Sequence, residues 1–215
     1  NYNGQPLTPV DPKDLTKGYI APPPAQLNAN TPIEYKINYQ DINVYFRDVT
    51  DPVSPKPILS YHVVDGVPET LYDMTVINKQ QVSVEARGYE FVTSSIPSGG
   101  IMVDTDSNAT QEFTLDFIRR TETITPDKPG VPGAPVDPDK PDGAKWPAGS
   151  DNVSDLSKVI TETITYVADD TGDLVAPTHS DQVTFTRSAT VDLVTGVITP
   201  STTWTAVDDD TTFDA

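Results

Sequence analysis

The sequence of 215 residues contains no cysteine and only two histidines. Without thiols there can be neither disulfide bonds nor cysteine-based catalysis, and a zinc site would have to use His62, His179 and carboxylates. We therefore expect no catalytic zinc. The motifs typical of serine hydrolases, zinc proteases and nucleotide-binding enzymes are also missing, so the sequence predicts a protein that is not an enzyme.

Positive charge is scarce: 14 Lys and Arg stand against 32 Asp and Glu, giving a net charge of -18 at pH 7. Nucleic acids and anionic membranes are bound through Lys and Arg, so we predict neither as a partner. No apolar run approaches the roughly twenty residues of a membrane-spanning helix, so no membrane insertion is predicted. No signal peptide is recognisable, and a surface protein with this sequence is expected to be an internal fragment.

Proline is abundant, with 21 residues, and between residues 126 and 150 it is periodic. It recurs at every third position, at Pro126, Pro129, Pro132, Pro135, Pro138 and Pro141. A polyproline II helix has about three residues per turn, so these prolines would share one edge of an extended rod. The alternative is a flexible linker of the same composition. Both predict a Pro-rich linker over 124–150 that separates two folded domains in an elongated tandem arrangement.

Hydrophobic patterns before the linker predict a small sheet with one helix. Ile42, Val44 and Phe46 alternate with polar residues, and "ILSYHVV" (58–64) is rich in β-branched residues, so both stretches are predicted strands. "YEFVTSSI" (89–96) and "TQEFTLDFIRR" (110–120) predict two more. Together with the helix described next, they indicate an α+β sheet crossed by one helix.

The stretch "DMTVINKQQVSVEARG" (73–88) predicts that helix. Asp73 or Thr75 can cap its start, Ile77 and Val84 are one heptad apart, and Gly88 can end it. A strand through Val82, Val84 and Ala86 is the alternative, because β-branched residues favour strands.

After the linker the pattern is entirely β. Ile160, Ile164 and Tyr166 are interleaved with threonines, and "QVTFTRSATVDLVTGVITPSTTWTAV" (182–207) predicts strands joined by a turn at Thr195 and Gly196. The predicted fold class is therefore mainly β with one helix.

Several stretches resemble a known family. They are "GYEFVTSSIPSGGIMVDTDSNATQEFTLDF", "PDGAKWPAGS", "ITETITYVADDTGDLVAP" and "DQVTFTRSATVDLVTGVITPSTTWTAVDDDTTFDA", of which "VTFTRSATVDLVTG" is the most specific. Over roughly residues 40–215 the chain resembles the mucus-binding (Mub-type) repeats of cell-wall adhesins of lactic-acid bacteria. The resemblance implies a MucBP domain, a ubiquitin-like β-grasp, over 40–123 and a second β-rich domain over 151–215. It also implies an extracellular, cell-wall-attached protein that binds mucin glycoproteins and adjoins neighbouring repeats.

The resemblance has one mismatch. In the family the second domain continues beyond "TFDA", so the domain over 151–215 is expected to be truncated. Within the N-terminal segment 1–39, Leu15 to Tyr39 resembles the closing part of a preceding repeat. We expect this stretch to pair with the open sheet edge of the second domain, in its own chain or in a neighbour.

Three functions follow as hypotheses: an adhesin repeat that binds mucin glycans, an immunoglobulin-binding module that adds a strand at a sheet edge, or a passive stalk. Candidate ligand contacts are aromatic or polar side chains with a chance of exposure, and each of them has core packing as its alternative. They are Tyr45, Tyr61, His62, Tyr72 and Trp146. Strand alternation predicts that Tyr61 or His62 faces solvent, and Trp146 is predicted to pack the linker onto a neighbouring domain.

Calcium is the only cofactor that the sequence suggests. "DTDSN" places Asp104, Asp106 and Asn108 at alternate positions, as the start of a calcium loop does. Ala109 and Leu115 stand where an EF-hand needs Gly and Glu, so the motif is not an EF-hand. A polar turn is the alternative.

Overall fold

The computed structural model describes residues 6–13, 17–21, 38–105 and 109–213. Within these residues the fold is mainly β with a single α-helix, which confirms the predicted class. The elements are β1 (Gln40–Asp48), β2 (Lys56–Gly66), α1 (Thr75–Ala86), β3 (Tyr89–Ser94), β4 (Gln111–Arg119), β5 (Thr121–Ile124), β6 (Ser157–Ile164), β7 (His179–Thr186), β8 (Ala189–Asp192), β9 (Ile198–Pro200) and β10 (Thr205–Ala206).

The chain divides into two compact units. The first consists of Asn1–Ile42, His62–Tyr72 and Gly100–Gln111. The second consists of Asn43–Tyr61, Asp73–Gly99 and Glu112–Ala215. The domain bounds suggested by the sequence, 40–123 and 151–215, stay a prediction.

In the first unit, two short stretches near the N-terminus pair with each other. The N–H of Val10 donates to the carbonyl of Gly18 at 2.9 Å, and the N–H of Ile20 donates to the carbonyl of Thr8 at 2.8 Å. Of the segment Leu15 to Tyr39, residues 15–16 and 22–37 lie outside the described residues. The predicted pairing of that segment with the second domain therefore lies outside them as well.

A four-stranded sheet has the strand order β2-β1-β4-β3, and α1 connects β2 to β3. This order is consistent with the predicted β-grasp. Aromatic side chains from three neighbouring strands pack together: the Phe46 ring stacks on Phe117 with centroids 6.0 Å apart, and Phe91 meets Phe117 edge-on at 5.7 Å. Phe46 and Phe117 are fully buried, because alternate residues of β1 and β4 face the core.

The predicted helix is confirmed, and the alternative strand is wrong. Asp73 Oδ1 accepts hydrogen bonds from the Thr75 N–H at 2.9 Å and from the Thr75 hydroxyl at 2.6 Å, just before the first turn. Ile77 and Val84 are buried on one helical face. Gly88 follows the helix with a φ of 95°, a left-handed conformation that favours glycine.

Two three-stranded sheets follow, with the orders β5-β8-β9 and β10-β7-β6. The predicted turn at Thr195 and Gly196 is confirmed, since it joins β8 to β9. A single residue, Arg120, separates β4 from β5, so the chain passes from the four-stranded sheet into the next sheet without a loop. A cluster of buried side chains supports the sheet β5-β8-β9: Ile124, Ala144, Leu156, Ala189, Val191 and Leu193.

The rod predicted for the proline-rich segment is wrong, because the segment folds back on itself. The N–H groups of Gly130, Gly133 and Val136 donate at 2.9 Å to the carbonyls of Ser150, Trp146 and Ala144, respectively. A proline cannot donate a backbone hydrogen bond, but the residues next to it keep their N–H groups. In this segment the residue that follows each of Pro129, Pro132 and Pro135 supplies the donor that the proline cannot.

We predict that Gly88→Ala strongly destabilises the second unit. A Cβ on Gly88 would lie 2.7 Å from the backbone C and O of Leu193, and its φ is positive. The left-handed conformation costs about 1–2 kcal/mol and the overlap about 1–3 kcal/mol, so we expect a loss of about 3 kcal/mol in the free energy of unfolding. Urea denaturation followed by circular dichroism measures it.

Gly99→Ala is the matched control, because a Cβ at Gly99 meets nothing within 4 Å. It should change the free energy of unfolding by less than about 0.5 kcal/mol. Equal effects of the two substitutions would contradict the close approach of Gly88 to Leu193.

Candidate functional site

Tyr45 lies half-buried on β1 beside a small cavity. Its hydroxyl donates to Glu112 Oε1 at 3.3 Å. The cavity has a volume of about 360 Å³, and its lining includes Tyr45, Lys56, Pro57 and Leu59. None of the other four candidate ligand residues lines it. Tyr45 is thus the one candidate placed at this cavity.

Three other candidates lie on β2 or between β2 and α1. On β2, Tyr61 is half-buried and His62 is exposed, so the predicted solvent-facing residue of the pair is His62. Tyr72 is half-buried, and its N–H donates to the carbonyl of Ile101 at 2.9 Å. Their role as ligand contacts stays a prediction.

Trp146 has a packing role. It is half-buried against the cluster that contains Ile124 and Val191. Its ring also fills the space beside Gly130, where a Cβ would lie 2.5 Å from Trp146 Cε3. The ring therefore holds the folded proline-rich segment on the core of the second unit. Packing was the alternative to ligand contact that the sequence analysis gave for Trp146.

Of the three predicted calcium ligands, Asp104 alone lies among the described residues. The N–H of Asp104 donates to Gln111 Oε1 at 3.1 Å, and Gln111 Nε2 donates to the carbonyl of Met102 at 3.1 Å. Asp106 and Asn108 lie outside the described residues. Among those that are described, no three His, Asp or Glu side chains come together as metal ligands. Calcium binding stays a prediction.

A larger cavity of about 640 Å³ lies within the second unit. One wall is formed by the end of α1 and the start of β3, with Val82, Tyr89 and Phe91, and the opposite wall by the turn at 140–144. Arg120 also lines it. The sequence prediction missed this cavity because it assigned residues 140–144 to a spacer. The signal that could have indicated the cavity was Phe91, an aromatic residue that is exposed on the edge strand β3.

Arg119, which precedes the cavity residue Arg120, contacts two carboxylates. Its Nε donates to Asp48 Oδ2 at 3.0 Å, and its Nη1 donates to Asp192 Oδ2 at 3.4 Å. Its backbone N–H donates to Thr50 Oγ1 at 2.8 Å. We refer to Asp48, Arg119 and Asp192 as the Arg119 triad. The triad connects the ends of β1, β4 and β8.

Both carboxylates of the triad are held in the charged form. Burial opposes the charge of Asp48, but hydrogen bonds from Thr50 and the guanidinium of Arg119 outweigh it and lower the pKa below its ordinary value. Burial also opposes the charge of Asp192, whose pKa is lowered mainly by the N–H groups of Thr195 and Val194. The triad is therefore fully ionised at neutral pH.

A family model matches the C-terminal part of the chain. Residues 151–215 match the family model of the Muc B2-like domain. Over these residues the chain is similar to that domain. The sequence resemblance to Mub-type repeats is confirmed in this Muc B2-like region. No curated protein sequence gives a significant match to the chain.

Two solved structures are also similar to the chain. A type 2 repeat of the mucus binding protein MUB from Lactobacillus reuteri is 26% identical, with a TM-score of 0.41, and the match covers 77% of this chain and 74% of that one. The crystal structure of Mub-RV is 20% identical, with a TM-score of 0.48, and the match covers 78% and 72%, respectively. In the described part of this chain, no helix has the length and apolar character needed to cross a membrane.

We predict that Arg119→Leu lowers the free energy of unfolding by about 2 kcal/mol. This value lies between the cost of breaking an exposed ion pair and that of leaving a buried charge unpaired, since Asp48 is buried and Arg119 is half-buried. Lys158→Leu, which removes one positive charge from the exposed strand β6, is the control and should have little effect. Urea denaturation at pH 7 measures both, and equal effects would contradict the role of the triad.

The stability contributed by Asp48 should be lost only in acid. An unfolded Asp has a pKa of about 3.9, and the folded value is lower. The contribution is therefore complete above about pH 4.5 and declines as pH falls through the lowered pKa. The difference in unfolding free energy between the natural chain and Asp48→Asn should be constant from about pH 7 to 4.5 and shrink below about pH 3.5. A difference that already shrinks between about pH 7 and 5 would be contrary to this assignment.

Proposed function

We propose that the chain is a cell-surface adhesin repeat that binds the mucin glycoproteins of host mucus. The observation that carries the proposal is the match of residues 151–215 to the Muc B2-like domain. The sequence resemblance to mucus-binding repeats over roughly 40–215 supports it. An extracellular location and a binding rather than catalytic role belong to the same proposal.

The charge of the chain limits how such binding can work. Mucins carry sialic acid and sulfate, which a chain of net charge -18 repels at neutral pH. Long-range attraction therefore cannot bring the two together, and affinity has to come from local contacts. The two cavities combine such contacts, because each is lined by aromatic, apolar and charged side chains.

We predict that mucin binding strengthens as pH falls from about 7 to about 4.5. Many of the 32 Asp and Glu side chains take up protons towards their ordinary pKa values of about 3.9 and 4.3, while sulfate stays charged, so the repulsion decreases. Added salt at pH 7 should reproduce part of the gain by screening the same repulsion. Retention of the chain on immobilised mucin, over a grid of pH and salt, measures the effect.

The binding experiment needs a folding control and a competing ligand. Circular dichroism at each pH shows whether the chain remains folded, which we expect because the triad carboxylates keep their charge at pH 4.5. Immobilised immunoglobulin is tested in parallel. Binding to immunoglobulin alone would favour the alternative module, and binding to neither would favour a stalk. Mucin binding that is strongest at pH 7 and low salt would contradict the charge argument.

A further inference from the structure

The 640 Å³ cavity of the second unit combines apolar surfaces with hydrogen-bonding groups of both kinds. Its apolar lining includes Val82 and Phe91, which are 65% and 37% exposed, together with Pro141. Phe91 packs edge-on against Phe117 and still presents much of its ring to the cavity and solvent. The volume of the cavity falls within the range of about 300–1,000 Å³ that small-molecule sites occupy.

Charged side chains surround these apolar surfaces. Arg120 and Lys140 supply donors, and Glu85, Glu90 and Asp142 supply acceptors. A saccharide ring presents the complementary pair of features: a face of C–H groups that packs on apolar and aromatic surface, and hydroxyls that both donate and accept. A purely apolar ligand would leave the charged groups unpaired, at a cost in binding free energy.

The balance of charge favours an uncharged saccharide. Three carboxylates stand against two cations in the lining. One of the cations, Arg120, already donates from Nε to Glu122 Oε1 at 2.9 Å. An acidic sugar would meet this excess of negative charge within the net negative field of the chain.

The walls of the cavity are held by backbone hydrogen bonds. The N–H of Arg120 donates to the carbonyl of Gly88 at 2.9 Å, and its carbonyl accepts from the N–H of Leu193 at 3.0 Å. In the opposite wall, the N–H of Gly143 donates to the carbonyl of Lys140 at 2.9 Å. The site is therefore largely formed before a ligand arrives, which reduces the entropic cost of binding.

We propose that this cavity binds an uncharged saccharide unit, with Phe91 as the packing surface and Glu90 and Lys140 as hydrogen-bonding groups. The proposal rests on the proposed function and deepens it, because it names the chemical class of the glycan and the place where it binds. Binding of this kind uses local contacts and needs no attraction between net charges.

The test uses the full chain and two probes: N-acetyllactosamine and the same disaccharide carrying a sialic acid. Amide chemical shifts of the isotope-labelled protein are followed during titration. We expect N-acetyllactosamine to shift the amides of residues 82–91 and 140–144, and to bind more tightly than its sialylated form. Shifts confined to other residues, or tighter binding of the sialylated form, would overturn the proposal.

Matched variants test the side chains. Phe91→Ala should weaken binding of N-acetyllactosamine about tenfold, whereas Phe213→Ala, at a phenylalanine that is also 37% exposed, should leave it unchanged. Because Phe91 also contacts Phe117, Lys140→Gln provides a variant outside the aromatic core, and we expect it to weaken binding about fivefold. Lys158→Gln is its control. Equal affinities of variants and controls would overturn the proposal.

The outcome separates this inference from the proposed function. A chain that is retained on mucin but shows no shifts at the cavity would refute the cavity and leave the adhesin function standing. A chain that binds N-acetyllactosamine at the cavity but is not retained on mucin would refute the adhesin function and support the saccharide site.

Discussion

The contact of Arg119 with Asp48 and Asp192 ties two sheets of the second unit together, and the arrangement around it depends on this contact. The three side chains stand at the ends of β1, β4 and β8, which belong to two different sheets. Each carboxylate is also held by hydrogen bonds of its own, Asp48 by the N–H of Thr50 and Asp192 by those of Val194 and Thr195. The guanidinium therefore meets two acceptors that are already oriented, so few rotamers have to be fixed to complete the contact.

The cavity follows from this arrangement. Arg120 comes directly after the triad residue, and its backbone bonds to Gly88 and Leu193 hold the cavity wall. The opposite wall requires the proline-rich segment to fold back, which depends on Gly130 leaving room for the Trp146 ring. Residues far apart in the sequence thus build one concave surface, and neither wall would form it alone.

The sequence allowed the elements to be predicted, but not the folding of the proline-rich segment. Buried residues at regular intervals, such as Ile77 and Val84 in the helix or Phe46 in β1, carry a period that identifies their element. The proline period of three was equally clear, but it is compatible with two structures. It suits a polyproline II rod, and it also leaves an N–H donor after each proline. The choice depends on long-range partners such as Ala144, Trp146 and Ser150, which no local pattern contains.

The candidate site was predicted less well, for a related reason. The candidate residues were selected by their chance of exposure within short stretches of sequence. Tyr45 lies beside a cavity that these stretches did not predict, and Trp146 packs on the buried cluster. Phe91 and Lys140 come together only in three dimensions. Charge, in contrast, could be read directly, because net charge depends on composition and not on the fold.

The passage from β4 to β5 through Arg120 alone has a mechanical consequence. A hinge needs a few residues whose backbone torsions are free to change, and connections between elements usually offer about four to six. Here the only connecting residue has both its N–H and its carbonyl in hydrogen bonds. A tensile force along the chain at this point is therefore carried by the hydrogen-bonded strand pairs on either side, β4 with β1 and β3, and β5 with β8. The junction can extend only when those pairs separate, so it transmits load instead of absorbing it by bending.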